Sequence, residues 1–205
     1  MPRRTVQQDL FQPSGLPQGL AYVENLLSAA EEMRLIGDLK PLPFKEFEFH
    51  GFLGRRRVVS FGWRYDFSGG GLQKASDVPP FLWPLREKVA HFASLVAADL
   101  QHVLITEYPA SATIGWHKDR PAFGDVMGVS LASECTFRFR RKDGSRWQRA
   151  ALILKPRSAY VLRGPARSEW EHSIPAVDRL RYSITFRTLA RNVTARAGRQ
   201  GPHPA

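Results

Sequence analysis

The chain has 205 residues, 43% of them hydrophobic, the size and composition of one globular domain with a core of its own. Thirty Lys and Arg against nineteen Asp and Glu give a net charge of +11, which favours a polyanionic partner, nucleic acid first and an anionic membrane surface second. A single cysteine, Cys135, excludes an internal disulfide and a multi-cysteine zinc site, and no apolar run reaches the eighteen residues of a membrane span. The segment MPRRTVQQDLFQPSG has no apolar centre, so no secretory leader is expected and a cytoplasmic address fits best.

Residues 1–18 are polar and proline-bearing and read as an arm over the surface. Ala21-Tyr22-Val23 reads as a short strand. Ser28-Ala29-Ala30-Glu31 is a capping-box pattern that starts a helix running to about Leu39, where Pro41 and Pro43 stop it. Residues 45–67 hold two β-prone stretches, FEFHGF and VVSFGWRYDF, separated by Arg55-Arg56-Arg57. Ser68-Gly69-Gly70-Gly71 opens a loop through Pro79-Pro80 that is too rich in glycine to be regular. Leu85, Val89, Phe92, Leu95, Val96 and Leu100 recur at helical spacing and predict a second long helix over Leu82 to Leu100.

Short strands follow: Val103 to Tyr108, Val126 to Leu131, Thr136 to Arg141, Arg149 to Leu154, Ala159 to Leu162 and Arg181 to Thr188. Lys142-Asp143-Gly144-Ser145 supplies hairpin chemistry between two of them. Helices first and then many short strands predict an α+β chain with a jelly roll at its centre. The final stretch, ARNVTARAGRQGPHPA, is basic, holds little to bury and is expected to be a disordered tail.

Two motifs carry chemistry. His117-Lys118-Asp119 puts a histidine and a carboxylate on one side of a strand end, and His172 lies about fifty residues on, in EHSIP. Two nitrogens and one oxygen suit Fe(II), Mn or Zn, and with open positions they suit oxygen-activating Fe(II). The other histidines have poorer cases. His91 and His102 read as surface or core, His50 has no partner at ligand spacing and His203 lies in the tail. In the second motif, RYSITFR, alternation places Arg181, Ser183, Thr185 and Arg187 on one face and Tyr182, Ile184 and Phe186 on the other. If the polar face looks into the barrel, two buried cations require an anion, because an unpaired buried charge costs several kcal/mol. A dicarboxylate that also chelates the metal fits, and 2-oxoglutarate has that form.

In order along the chain, T-E-Y at 106–108, H-K-D, G-P-A-R at 164–167, E-H-S-I-P and R-Y-S-I-T-F-R resemble the AlkB-type Fe(II)/2-oxoglutarate-dependent dioxygenases, over roughly residues 100–190. The resemblance implies a double-stranded β-helix core over about 100–189 with N-terminal helices packed on one sheet. It also implies a substrate-recognition lid over about 50–80, within a single domain of residues 19–189. It implies iron on His117, Asp119 and His172. It puts 2-oxoglutarate on Arg181 and Arg187, with Tyr108, Thr106 and Ser183 assisting and O2 as co-reactant. No catalytic residue beyond the metal ligands is implied. The reaction would be oxidative dealkylation of bases in DNA, or RNA, releasing aldehyde, succinate and CO2, by a protein expected to be a monomer.

Three positions depart from the family pattern. Thr106 replaces the usual Asn of an N-x-Y element, Ser183 stands where the family often has Asn, and Pro121 stands where repair members often carry an acid that reads the base's exocyclic amine.

On the substrate side, Trp63 and Tyr65 fall in the lid stretch, and Trp116 and Trp170 flank metal ligands and are candidates to line a pocket. Arg138 and Arg140 alternate with Phe137 and Phe139 and point outward beside a basic hairpin tip, where they suit phosphate. Two rival readings stand beside this one. The first keeps the oxygenase and changes the substrate to a tRNA base or a protein side chain. The second is a non-enzymatic nucleic-acid-binding jelly roll.

Overall fold

The computed structural model describes residues 15–49, 52–66 and 71–190. The residues expected to form most of the N-terminal arm, the glycine run through Gly70, His50 and the basic tail beyond Ala190 lie outside them.

The core is two antiparallel sheets face to face. A seven-stranded sheet contains β1 (Leu20–Val23), β2 (Lys45–Phe49), β3 (Phe52–Phe61), β6 (His102–Tyr108), β8 (Phe123–Leu131), β11 (Ala159–Leu162) and β13 (Arg181–Leu189). Its strand order is β1-β11-β8-β13-β6-β3-β2. A four-stranded sheet contains β7 (Ile114–His117), β9 (Cys135–Asp143), β10 (Arg146–Leu154) and β12 (Glu171–Ile174), in the order β10-β9-β12-β7. The eight strands from β6 to β13 divide between the sheets in two interleaved sets, β11-β8-β13-β6 against β10-β9-β12-β7, switching sheet at each step except the β9–β10 hairpin, which is the double-stranded β-helix expected from the sequence.

Strand alternation builds two cores. Tyr182, Ile184 and Phe186 of β13, with Val103 and Ile105 of β6, face the helices, among them Leu35 and Leu39 of α1 (Ala29–Leu39) and Leu85 and Val89 of α2 (Trp83–Phe92). The second core fills the barrel with Tyr108, Phe137, Phe139, Tyr160, Leu162 and Trp170. The N-terminal helices therefore pack on the outer face of the larger sheet.

The start of α1 is a capping box. Ser28 Oγ accepts from the Glu31 backbone N–H at 3.2 Å, and Glu31 Oε2 accepts from the Ser28 backbone N–H at 2.9 Å. The second helix is shorter than its spacing predicts. It ends at Phe92, Ser94 turns into the left-handed region (φ 54°) and only a 3₁₀ turn at Ala97–Asp99 follows. Val96 stays 66% exposed, so its helical spacing was coincidental.

Two further expectations are corrected. Arg55-Arg56-Arg57 does not separate a pair of strands, because β3 runs straight through it. The glycine-rich loop is partly regular: Gly71–Lys74 forms β5, which pairs with β4 (Trp63–Asp66) as a separate hairpin. Gly62 turns the chain from β3 into that hairpin at φ +72°, where a Cβ would lie 2.1 Å from the Gln101 carbonyl oxygen.

Candidate metal and cosubstrate site

His117 closes β7 and His172 is the second residue of β12, and the two strands pair with these residues directly opposite. Their rings meet edge to face at 4.3 Å between centroids. Asp119 follows just past the end of β7, and its Oδ2 lies 3.6 Å from His172 Nε2. The loop after Asp119 is pinned by Arg167 of α3 (Gly164–Ser168). Its Nε donates to the Gly124 carbonyl and its Nη2 to those of Arg120 and Phe123, at 2.7–2.9 Å.

The three side chains present lone pairs. Burial pushes the His172 imidazole down to about pKa 3 against the pull of the Asp119 charge, and burial likewise lowers His117, so both rings are neutral. His117 Nδ1 is hydrogen-bonded to the Gly115 carbonyl at 2.9 Å, which leaves its Nε2 lone pair free. Burial would raise the Asp119 carboxyl, but the Arg187 guanidinium holds it well below the usual carboxylate range. Asp119 Oδ2 is buried without a hydrogen bond, while Oδ1 takes Arg187 Nε and Nη2 at 2.9 and 2.7 Å. Among the described residues no three His, Cys, Asp or Glu side chains form a ready-made metal shell. A cation would use the orphaned Oδ2 and the two neutral imidazoles, so the residues fit Fe(II) in charge and donor type.

The polar face of β13 looks into the barrel. Arg181 is fully buried, donates from Nε to Ser130 Oγ at 3.1 Å and lies 5.0 Å from the Tyr108 ring, while its Nη1 has no partner. Tyr108, Thr106 and Ser183 lie beside it: β13 pairs with β6 so that Arg181 faces Tyr108 and Ser183 faces Thr106. An unpartnered guanidinium nitrogen in the interior fits an anionic ligand. Arg187, besides holding Asp119, reaches His102 Nδ1 from Nη1 at 3.2 Å. His102 is core, at 3% exposure, and its ring stacks on Phe123 at 4.5 Å.

The remaining candidates divide. Tyr65, on β4, lies 5.1 Å from the guanidinium of Arg120, next to Asp119, so the β4–β5 hairpin stands at this end of the barrel. Trp63 is stacked by Lys74 within that hairpin. Trp116 does not share the His117 side. Alternation turns it to the outer face of the smaller sheet, where Arg138 and Arg140 cover it at 5.1 and 4.5 Å. Trp170 is buried in the barrel core beneath Arg141. Arg138 and Arg140 point outward as expected, and Arg140 is also paired with Glu171 and stacked on Trp147. Arg167, His102 and Tyr160 were not singled out from the sequence. Only Arg167 had a local signal, the G-P-A-R element.

A double-stranded β-helix with this interior defines an oxygenase class. The profile of the 2OG-Fe(II) oxygenase superfamily matches residues 19–187, and the chain belongs to that superfamily. It is an Fe(II)-dependent dioxygenase that uses 2-oxoglutarate and O2. Among curated proteins it is 26% identical, over 90% of its length, to an Arabidopsis thaliana protein named alkylated DNA repair protein ALKBH8 homolog. It is 27% identical, over 80% of its length, to the Macaca fascicularis tRNA (carboxymethyluridine(34)-5-O)-methyltransferase ALKBH8. The match covers 59% of the first relative and 25% of the second.

Among solved structures, OsALKBH1 superposes with a TM-score of 0.63 at 14% identity, over 83% of this chain and 96% of that one. A Pseudomonas putida prolyl-4-hydroxylase superposes at 0.57 and 14% identity, over 84% and 93%. These structural likenesses bear on the fold. The relatives' names bear out the AlkB-type resemblance. No helix among the described residues is long and apolar enough to cross a membrane.

Proposed function

We propose that this chain oxidises an alkyl substituent on a nucleic-acid base, with iron held by His117, Asp119 and His172. The observation that carries the reading is the pairing, in one barrel, of an orphaned Asp119 oxygen beside two neutral imidazoles with an unpartnered Arg181 nitrogen. Bound Fe(II) supplies O2 activation coupled to decarboxylation of 2-oxoglutarate to succinate and CO2. The protein's residues do the rest. Arg181 takes the far carboxylate, with the Tyr108 hydroxyl beside it, and Thr106 and Ser183 line the same strand pair. Arg187 holds the Asp119 carboxylate in its ionised form and leaves Oδ2 for the metal. A hydroxylated N-alkyl carbon then collapses to aldehyde and the unmodified base.

What supports a polynucleotide is charge. On and beside the outer face of the smaller sheet, Glu171 and Glu169 are committed to Arg140 and Arg141. Lys142, Arg146 and Arg149 form no ion pair there among the described residues. This leaves uncompensated cations on the hairpin that extends past the His172 level toward the Asp119 end, since Phe139 pairs with His172 and the tip lies at Asp143–Arg146. Trp63 and Tyr65 of the β4–β5 hairpin are the residues that would cover an extruded base.

The AlkB-type resemblance puts DNA ahead of RNA as the substrate. A tRNA base is the second reading. It is favoured by Pro121, which provides no acid to read an exocyclic amine, and by the ALKBH8 relatives whose names carry tRNA. The test is incubation with Fe(II), 2-oxoglutarate and methylated or etheno-bearing DNA and RNA oligonucleotides and tRNA, followed by mass spectrometry of the bases. A base altered in step with succinate is expected. Succinate formed with every nucleic acid left unchanged sinks the substrate reading alone.

A further inference from the structure

We propose that Tyr160, seated over Gly128, is a specificity-determining residue of the cosubstrate cavity: its ring sets the length of 2-oxo diacid that fits, and its hydroxyl donates to the bound acid. The inference rests on the placement of 2-oxoglutarate between Arg181 and the metal set out above. Tyr160 lies on β11, opposite Gly128 of β8, and Gly128 is in turn opposite Thr185 of β13. A Cβ at position 128 would lie 2.3 Å from Tyr160 Cε1 and Cζ and 2.4 Å from its hydroxyl oxygen. The hydroxyl end of the ring therefore sits directly on the bare backbone of β8.

That spot lies on the barrel-facing side of β8, between β11 and β13. On the same face of β8, one neighbour of Gly128 is Ser130, which receives Arg181 Nε, and the other is Val126, which stands opposite Arg187. The hydroxyl thus lies over the strand position between Ser130, which Arg181 reaches, and Val126, which Arg187 faces. From the other side the ring meets Phe137 at 4.9 Å, and Phe137 meets His172 at 5.3 Å, so one ring separates Tyr160 from a proposed iron ligand. A diacid reaching from Arg181 to the metal passes Tyr160. The residue is 8% exposed and its hydroxyl makes no hydrogen bond among the described residues, so it is available to donate to a ligand carboxylate or keto oxygen. Burial first, and the Asp119 charge next, keep it protonated and able to donate.

The competing account is that Tyr160 is only an aromatic side chain covering a strand glycine. The two accounts differ in ligand selectivity. The full chain is titrated calorimetrically, with Mn(II) as a redox-silent metal, against 2-oxoglutarate and its one-methylene-longer homologue 2-oxoadipate. Wild type, Tyr160→Phe and Tyr160→Leu are compared, and thermal melting reports folding. Tyr160→Phe is expected to melt as wild type and bind 2-oxoglutarate roughly tenfold more weakly, the loss of one hydrogen bond to a charged acceptor. Tyr160→Leu is expected to lose most of the wild-type preference for 2-oxoglutarate over 2-oxoadipate. If Tyr160→Phe binds as wild type and Tyr160→Leu keeps the ratio of the two affinities, the proposal is overturned while the cosubstrate placement stands. If wild type binds neither acid, the placement itself fails and the proposal fails with it.

Discussion

Arg181 and Arg187 are both buried cations with different tasks, and the difference lies in what each already touches. Arg187 is neutralised by Asp119, whereas Arg181 has Ser130, the face of Tyr108 and no counter-charge among the described residues. Arg181→Met should therefore act on cosubstrate binding. We expect the KM for 2-oxoglutarate to rise about 30-fold or more, the roughly 2 kcal/mol that loss of one partner in a buried charged pair costs at minimum. Arg187→Met should act on the metal centre, by leaving Asp119 easier to protonate, and should weaken Fe(II) binding more than 2-oxoglutarate binding; parallel calorimetric titrations separate the two.

His102 gives a pH dependence. Burial first, and the Arg187 charge next, keep its folded pKa well below the 6.5 of a free imidazole. The unfolded chain takes up a proton near that pH that the folded chain refuses, so the unfolded state binds more protons below it. Stability then falls as pH drops below about 6.5. The urea midpoint should be lower at about pH 5.5 than at about pH 7.5, and His102→Asn should narrow that gap.

At the scale of elements, the capping box predicts that Ser28→Ala lowers unfolding free energy by about 1 kcal/mol in urea denaturation, with cosubstrate binding unchanged. Local chemistry made this helix legible: Ser28 and Glu31 start it and Pro41 follows its end. It failed at α2, where Leu95 and Val96 kept the spacing after Ser94 had already turned the chain. Alternation sorted β13 correctly because one strand's two faces differ sharply, Arg-Ser-Thr-Arg against Tyr-Ile-Phe. It also set Trp116 opposite His117, so adjacency in sequence to a ligand misled while the strand rule did not. Nothing in Ala159-Tyr160-Val161-Leu162 announces a cavity residue. Tyr160 acquires that role from Gly128, thirty-two positions away, through a cross-strand pairing no local pattern encodes.

At the scale of the molecule, motif order made the double-stranded β-helix and its oxygenase class legible, while the nucleic acid's identity was not. The charge of +11 says polyanion without saying which one. It does predict behaviour. Affinity for a single-stranded oligonucleotide should fall linearly in log–log form with salt, and Arg149→Ser should reduce that slope by about 0.7 if Arg149 meets a phosphate. An unchanged slope removes this face from the interface.

If His117, Asp119 and His172 hold the iron that turns over 2-oxoglutarate in the barrel lined by Arg181, removing any one of them abolishes turnover. Succinate formation from 2-oxoglutarate, with Fe(II) and O2, measured on folded wild-type protein and on His117→Ala, Asp119→Ala and His172→Ala, tests it most directly. Turnover by wild type and background succinate from all three variants is the result predicted. Turnover that survives in any folded variant at the wild-type rate would contradict the assignment.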